Sequence, residues 1–409
     1  MSHLPATTTR IATLLASALA FFSTDARAGG AEKNEIVIGR KFSIESAILQ
    51  EKREYIVYLP APYHDRLYAK VRYPVMYLLD GEEYFNAAAG LVHFMSEANS
   101  QIPQQIVVAV VNTNRTRDLT PTPSNIDISG KVNAAFGTTG GGDRFLQFLE
   151  RELIPKIEAD YRTAPHRTLV GHSFGGLTVL HSLLTQPGLY QGLIAIDSSL
   201  WWQDQFMVKR VKQGPVDVPD RGTRVFMALG DHRTTGEYDG SSMIVTNMRF
   251  AELLQGRKLQ GLDVTLRHFA GEDHGTVPLP ALYNGLLYVF DGYKVGDEFA
   301  LKDNTAELVA HFRKISERLG YEVLPPEQLV DRFGQGAYGF LHDAKLAMEY
   351  AMLNVANYST SSHALSSLAS LELATGEMQR ARVHLGEALR LNPDNEEARS
   401  ALESLQQKR

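Results

Sequence analysis

Residues 169–176 read LVGHSFGG. One serine, Ser173, stands between Gly171 and Gly175, after an apolar run and before another. A G-x-S-x-G pattern suits a nucleophile on a sharp strand-to-helix turn. Bulky side chains two positions either side would clash there, and the turn lifts the hydroxyl clear of the sheet. The N–H of the next residue, Phe174, would then open the following helix and face a developing oxyanion. The local sequence agrees: TLV predicts a short strand before Ser173, and GGLTVLHSLL predicts a helix after it.

A serine hydroxyl needs a base. The chain has 13 histidines. Where such an elbow operates, the chain order is Ser, then Asp or Glu, then His. His274, in LRHFAGEDHGTVP, follows a late strand and precedes a Pro-bounded helix, so it is the candidate base. His268 lies inside that strand, His181 on the helix after the serine, and His232 after the preceding strand. His172 adjoins the serine, but neighbouring side chains in a sharp turn point apart. The acid should follow the strand RVFMALG, which leaves Asp231, Glu237, or a Ser–His pair with no strong acid partner. Glu272 and Asp273 read as solvent-facing or loop-bracing. For a second oxyanion donor the Asp-Gly turn of LLDGEEYF offers the N–H of Gly81 or Glu82.

These residues need a scaffold. YPVMYLLDG (73–81) and QQIVVAVVNT (104–113) are nearly continuous apolar runs, as in strands covered on both faces. Strand-like and helix-like stretches then alternate to about residue 295, which predicts an α/β fold with a mostly parallel sheet. Residues 114–142 are rich in Pro, Gly, Ser, Thr and Asn, the mark of a long functional or irregular loop. After residue 298 the pattern is helical and alanine-rich. Ala381, Leu385 and Ala388, with Gly376 before and Pro393 after, resemble a tetratricopeptide repeat; Ala344, Met348 and Ala351 form a degenerate copy. So short an array should pack on the larger domain or dock a protein partner.

Residues 1–28 have the three parts of an export signal: Arg10, the apolar core IATLLASALAFF, and small residues at Ala26 and Ala28. The expected layout is therefore a leader at 1–28, an α/β domain at 29–298 and helices at 299–409, with the product periplasmic or secreted. No further stretch has the length and apolarity of a membrane helix. The net charge of −6 and the lack of a basic run argue against nucleic acid as a partner. With no cysteine, neither disulfides nor cysteine-ligated zinc is available.

Taken together, YPVMYLLDGEEYF, NRTRDLTPT, GGGDRFLQFLERELIPKIEADYRT, LVGHSFGGL, IAIDSSLWW and GEDHGTVP resemble the putative-esterase group of α/β-hydrolases. That group includes esterase D, enterobactin-type siderophore esterases and mycolyltransferases; the likeness is strongest to the siderophore branch. It implies a serine esterase of the α/β-hydrolase fold, with no metal or organic cofactor and a small ester as substrate. It supports Ser173 and His274, and implies that Arg115 and Arg117 meet an anionic or catecholate substrate, against the alternative of two solvated loop arginines. Trp201 and Trp202 would form an aromatic wall or fill core. The sequence departs from the group at the acid, where Arg233 stands in place of a common carboxylate. Acyl transfer on the same fold, or a silent scaffold with an interaction tail, are the competing readings.

Overall fold

A computed structural model describes residues 36–65, 68–218, 222–232, 241–296 and 304–407. The leader at 1–28, Arg233, Glu237 and the boundary at 298/299 lie outside the described residues. The described residues from Ile38 onward form one compact unit.

Eight strands make one sheet: β1 (Arg40–Ser46), β2 (Glu51–Tyr58), β3 (Tyr73–Leu78), β4 (Ile106–Val110), β5 (Thr163–His172), β6 (Gly192–Ile196), β7 (Thr223–Leu229) and β8 (Leu262–His268). Their order is β1-β2-β4-β3-β5-β6-β7-β8. β2 runs antiparallel to both β1 and β4, and every pairing from β4 to β8 is parallel. This is the mostly parallel sheet expected of an α/β-hydrolase.

Helices cover both faces, named in chain order: α1 (Gly81–His93), α2 (Arg115–Asp118), α3 (Gly142–Phe148), α4 (Ile154–Asp160), α5 (Phe174–Thr185), α6 (Trp202–Gln213), α7 (Ser241–Gly256) and α8 (Pro278–Val289). The apolar strands split by alternation. Ile106, Val108, Val225 and Met227 join a core with α3 to α7; Val107, Ala109, Phe226 and Ala228 join another with α1 and α8. The uninterrupted Val and Ile of β4 are thus explained by burial on two sides.

The C-terminal region holds α9 (Thr305–Leu319), α10 (Glu327–Gly339), α11 (Ala344–Asn357), α12 (Ser362–Ala374), α13 (Met378–Leu391) and α14 (Glu396–Gln407). Side-chain caps start several of them. Asn304 accepts from Glu307 N, Asp343 from Leu346 N, and Ser361 from Ala364 N. Leu308, Phe312 and Ile315 of α9, Val330 and Phe333 of α10, and Tyr350 of α11 extend the second core. The small residues Ala381 and Ala388, with Leu385 between them, are fully buried in a third cluster, shared by α12, α13 and α14. Helices α9 to α11 therefore pack on the α/β part, while α12 to α14 pack among themselves.

Two measurements test these cores. Phe312→Ala should lower unfolding stability by about 3–5 kcal/mol, read by urea denaturation, whereas exposed Val383→Ser should change it by less than about 0.5 kcal/mol. His166 on β5 is buried, which lowers its pKa to about 3. Its folded value lies below the unfolded one near 6.5, so stability is full above that pH and falls on acidification. Between pH 7.5 and 4.5 this group should cost about 2–3 kcal/mol. In His166→Asn the acid loss should be smaller by that amount.

Candidate active site

The elbow forms at the end of β5. Ser173 has φ 60° and ψ −116°, a conformation held by its surroundings rather than by preference. A Cβ on Gly171 would lie 2.4 Å from the Gly175 carbonyl group, so the glycines are demanded by close backbone approach. The serine opens α5. Two backbone bonds stitch it to the segment after β6: Ser173 N donates to Ile196 O at 2.9 Å, and Ser199 N donates to Ser173 O at 3.1 Å. The Ser173 hydroxyl itself meets Ser199 Oγ at 3.3 Å.

Between those two stitches sits Asp197, a carboxylate with no solvent exposure. His274 Nδ1 donates to its Oδ2 at 2.6 Å. Its Oδ1 accepts from His232 Nε2 at 2.9 Å and from Gly230 N at 3.2 Å. Burial raises its pKa, but the hydrogen bonds from His232 and His274 outweigh that and hold the carboxyl well below its usual range. The same bond to Asp197 raises the pKa of His232 against the opposing effect of burial. With Nδ1 of His274 donating to Asp197, the neutral ring carries its lone pair on Nε2.

The acid at His274 is therefore Asp197, not Asp231. The parallel sheet brings the carboxyl ends of β5, β6, β7 and β8 side by side, and of the aspartates after β6 and β7 it is Asp197 that lies within hydrogen-bond reach of His274 Nδ1. The segment after β7 supports Asp197 from behind, through Gly230 N and His232. Asp231 joins the frame by donating its N–H to Glu272 O in the His274 loop. Asp273 braces that loop, its carboxylate accepting from Gly275 N and Thr276 N. Asp197 had a sequence signal: an aspartate directly after the buried run LIAI, on the strand next to the elbow.

The oxyanion candidates open two helices beside the elbow, Phe174 at α5 and Gly81 at α1. A Cβ on Gly81 would lie 2.7 Å from the Ala109 backbone, and one on Gly175 would lie 3.3 Å from Asp80 Oδ2. The Asp80–Gly81 turn thus packs between β4 and the elbow. First-turn N–H groups have no acceptor inside their own helix.

Arg115 and Arg117 part company. Arg115 forks onto Asp80, Nε to Oδ1 at 2.7 Å and Nη2 to Oδ2 at 2.9 Å, and lies 5.5 Å from the Phe174 ring centre. It stays beside the elbow and about one third exposed. Arg117 is spent elsewhere. It binds both oxygens of Glu51, at 2.6 and 3.0 Å, and Asp118 Oδ1 at 2.6 Å. Asp118 is paired with buried Arg53, so this network anchors the 114–142 loop to β2. As a substrate contact, Arg117 is corrected to a structural residue, because its donors are already bonded to carboxylates. Trp202 is core, with Nε1 donating to Thr122 O at 3.1 Å. Trp201 is partly exposed, 6.0 Å from the Phe174 ring, and its indole N–H meets no acceptor among the described residues.

A cavity of about 250 Å³, lined by His166, Arg224 and Arg318 among others, lies at the starts of β7 and β8. It is at the wrong end of the strands for this site, since α/β sheets bind ligands beyond their carboxyl ends.

Fold and site together define a serine hydrolase of the α/β type. The family model Putative esterase matches residues 46–274, and the chain belongs to that family. It is 29% identical over 278 residues to the ferri-bacillibactin esterase BesA of Bacillus subtilis, covering 65% of this chain and 94% of that one. It is 28% identical to the siderophore enterobactin esterase of Emericella nidulans, over 52% of this chain and 81% of the relative. Among solved structures, an IroE-like serine hydrolase from Shewanella oneidensis is 32% identical with TM-score 0.67, covering 77% of this chain and 98% of that one. The protein is an esterase.

The two acids are separable by experiment. Asp197→Asn should lower kcat on an aryl ester by about 10³–10⁴-fold, through loss of the correct imidazole tautomer. Asp231→Asn should leave kcat within the same order of magnitude.

Proposed function

We propose that Ser173, His274 and Asp197 act as nucleophile, base and orienting acid in the hydrolysis of siderophore esters. The observation that carries the mechanism is the strained Ser173 elbow beside the Asp197–His274 pair. His274 Nε2 takes the Ser173 proton as Oγ attacks the ester carbonyl. The tetrahedral oxyanion rests on the N–H groups of Phe174 and Gly81. Collapse expels the alcohol, which takes the proton back from His274, and leaves an acyl-serine. His274 then activates water, which releases the acid. His274 is the proton carrier in both halves of this cycle.

The substrate class rests on the named relatives, which act on siderophores. Around the elbow, the exposed edge of Arg115 and the partly exposed ring of Trp201 offer a surface for planar, electron-rich groups such as catecholates. Export through the 1–28 leader belongs to the same reading, and would leave a mature N-terminus at Gly29. No described helix is long and apolar enough to cross a membrane. The tetratricopeptide-like packing of α11 to α14 is proposed as a protein-docking element.

The test is hydrolysis by purified protein with Ser173→Ala as control, using a short-chain aryl ester and a catecholate trilactone in parallel. The expected result is cleavage of both, abolished by Ser173→Ala, with the higher kcat/KM on the trilactone. Cleavage of the aryl ester alone would retain the serine chemistry and refute the substrate class.

A further inference from the structure

His172 is not used by the hydrolytic cycle, yet it is placed with care. Its residue surface is more than nine-tenths buried. Its ring centre is 4.3 Å from that of His274. Nδ1 meets the Tyr84 hydroxyl at 3.0 Å, while Nε2 is buried and meets no partner among the described residues. His172, Asp197 and His274 each bring one nitrogen or oxygen within 4.8 Å of the other two.

We propose that these three residues form a binding site for a divalent cation of the zinc type, and that its occupation switches the esterase off. Two imidazoles and one carboxylate suit zinc and its neighbours, and disfavour magnesium or calcium, which take oxygen ligands. Zinc-bound nitrogens and oxygens stand about 2.0–2.2 Å from the metal, so small side-chain rotations close the set. The supporting shell is already present. A metal-binding histidine ordinarily donates its other N–H to an oxygen. The Tyr84 hydroxyl can accept that proton from His172 Nδ1, which leaves Nε2 bare for the metal. Gly230 N and His232 hold Asp197 in the same way. His274 is 43% exposed and gives the ion a route from solvent.

Inhibition follows from tautomer chemistry, and this half rests on His274 being the base. The His274 ligand is Nδ1, the nitrogen that faces Asp197. A metal there displaces the Nδ1 proton and drives it to Nε2, which removes the lone pair that must receive the serine proton. Ser173 is left unmodified and inactive, and removal of the ion restores it.

The experiment titrates ZnCl₂ into the full chain by calorimetry, and follows aryl-ester hydrolysis with and without EDTA. The wild type is expected to bind one Zn²⁺ per chain, to lose activity in parallel, and to regain it with EDTA. His172→Phe and His172→Asn, each checked by circular dichroism, should bind at least about tenfold more weakly, and Tyr84→Phe about 10–100-fold more weakly. Equal Zn²⁺ binding by wild type and both His172 variants, or no binding to wild type, would overturn the proposal. His172-dependent binding to a wild type that hydrolyses no ester would keep the site and sink the catalytic reading.

Discussion

Everything in the site hangs on one buried charge. Asp197 is a carboxylate without solvent, and a lone charge there would be too costly to keep. It is tolerated because three donors reach it, from the end of β7, the segment just beyond, and the loop after β8. Removing one partner of a buried ion pair typically costs about 3–5 kcal/mol. The same bonds that make Asp197 affordable orient His274, so the stability of the turn and the geometry of the base have one cause. The parallel register makes the convergence possible, since it brings the carboxyl ends of β5, β6, β7 and β8 side by side.

The helical region belongs to this scaffold in an energetic sense. The sheet face formed by Met76, Leu78, Val107 and Ala109 is covered by α1 and α8, and the cluster continues into α9, α10 and α11. A buried acid adds to the join: Glu327, at the start of α10, accepts from the Tyr68 and Ser361 hydroxyls. Only α12 to α14 keep a small core of their own. That division matches the sequence, where the small-residue pattern is regular at Ala381, Leu385 and Ala388 and degenerate upstream.

Arg115 and Arg117 show how little a residue type says without its surroundings. They are two positions apart on the single turn α2, and side chains at that spacing do not share a face. One turns to Asp80 and the elbow, the other to Glu51 and the root of the loop. Tyr84 and His172 are likewise 88 positions apart in the chain and 3.0 Å apart in space.

What the sequence determined by itself was everything carried by local spacing. The G-x-S-x-G turn, the two-sided strands, the α/β alternation and the position of His274 all follow from steric limits or burial periods that act over a few residues. The acid did not follow, because Asp197 and Asp231 both stand just after a buried strand. Local pattern treats them alike. Strand order does not choose between them either, since β7 lies next to β8; the folded turns do, with Asp197 Oδ2 2.6 Å from His274 Nδ1 while Asp231 is tied by its N–H to Glu272 O. The fates of Arg117 and Trp202 were settled in the same way, by partners distant in the chain that only tertiary packing brings within bonding range.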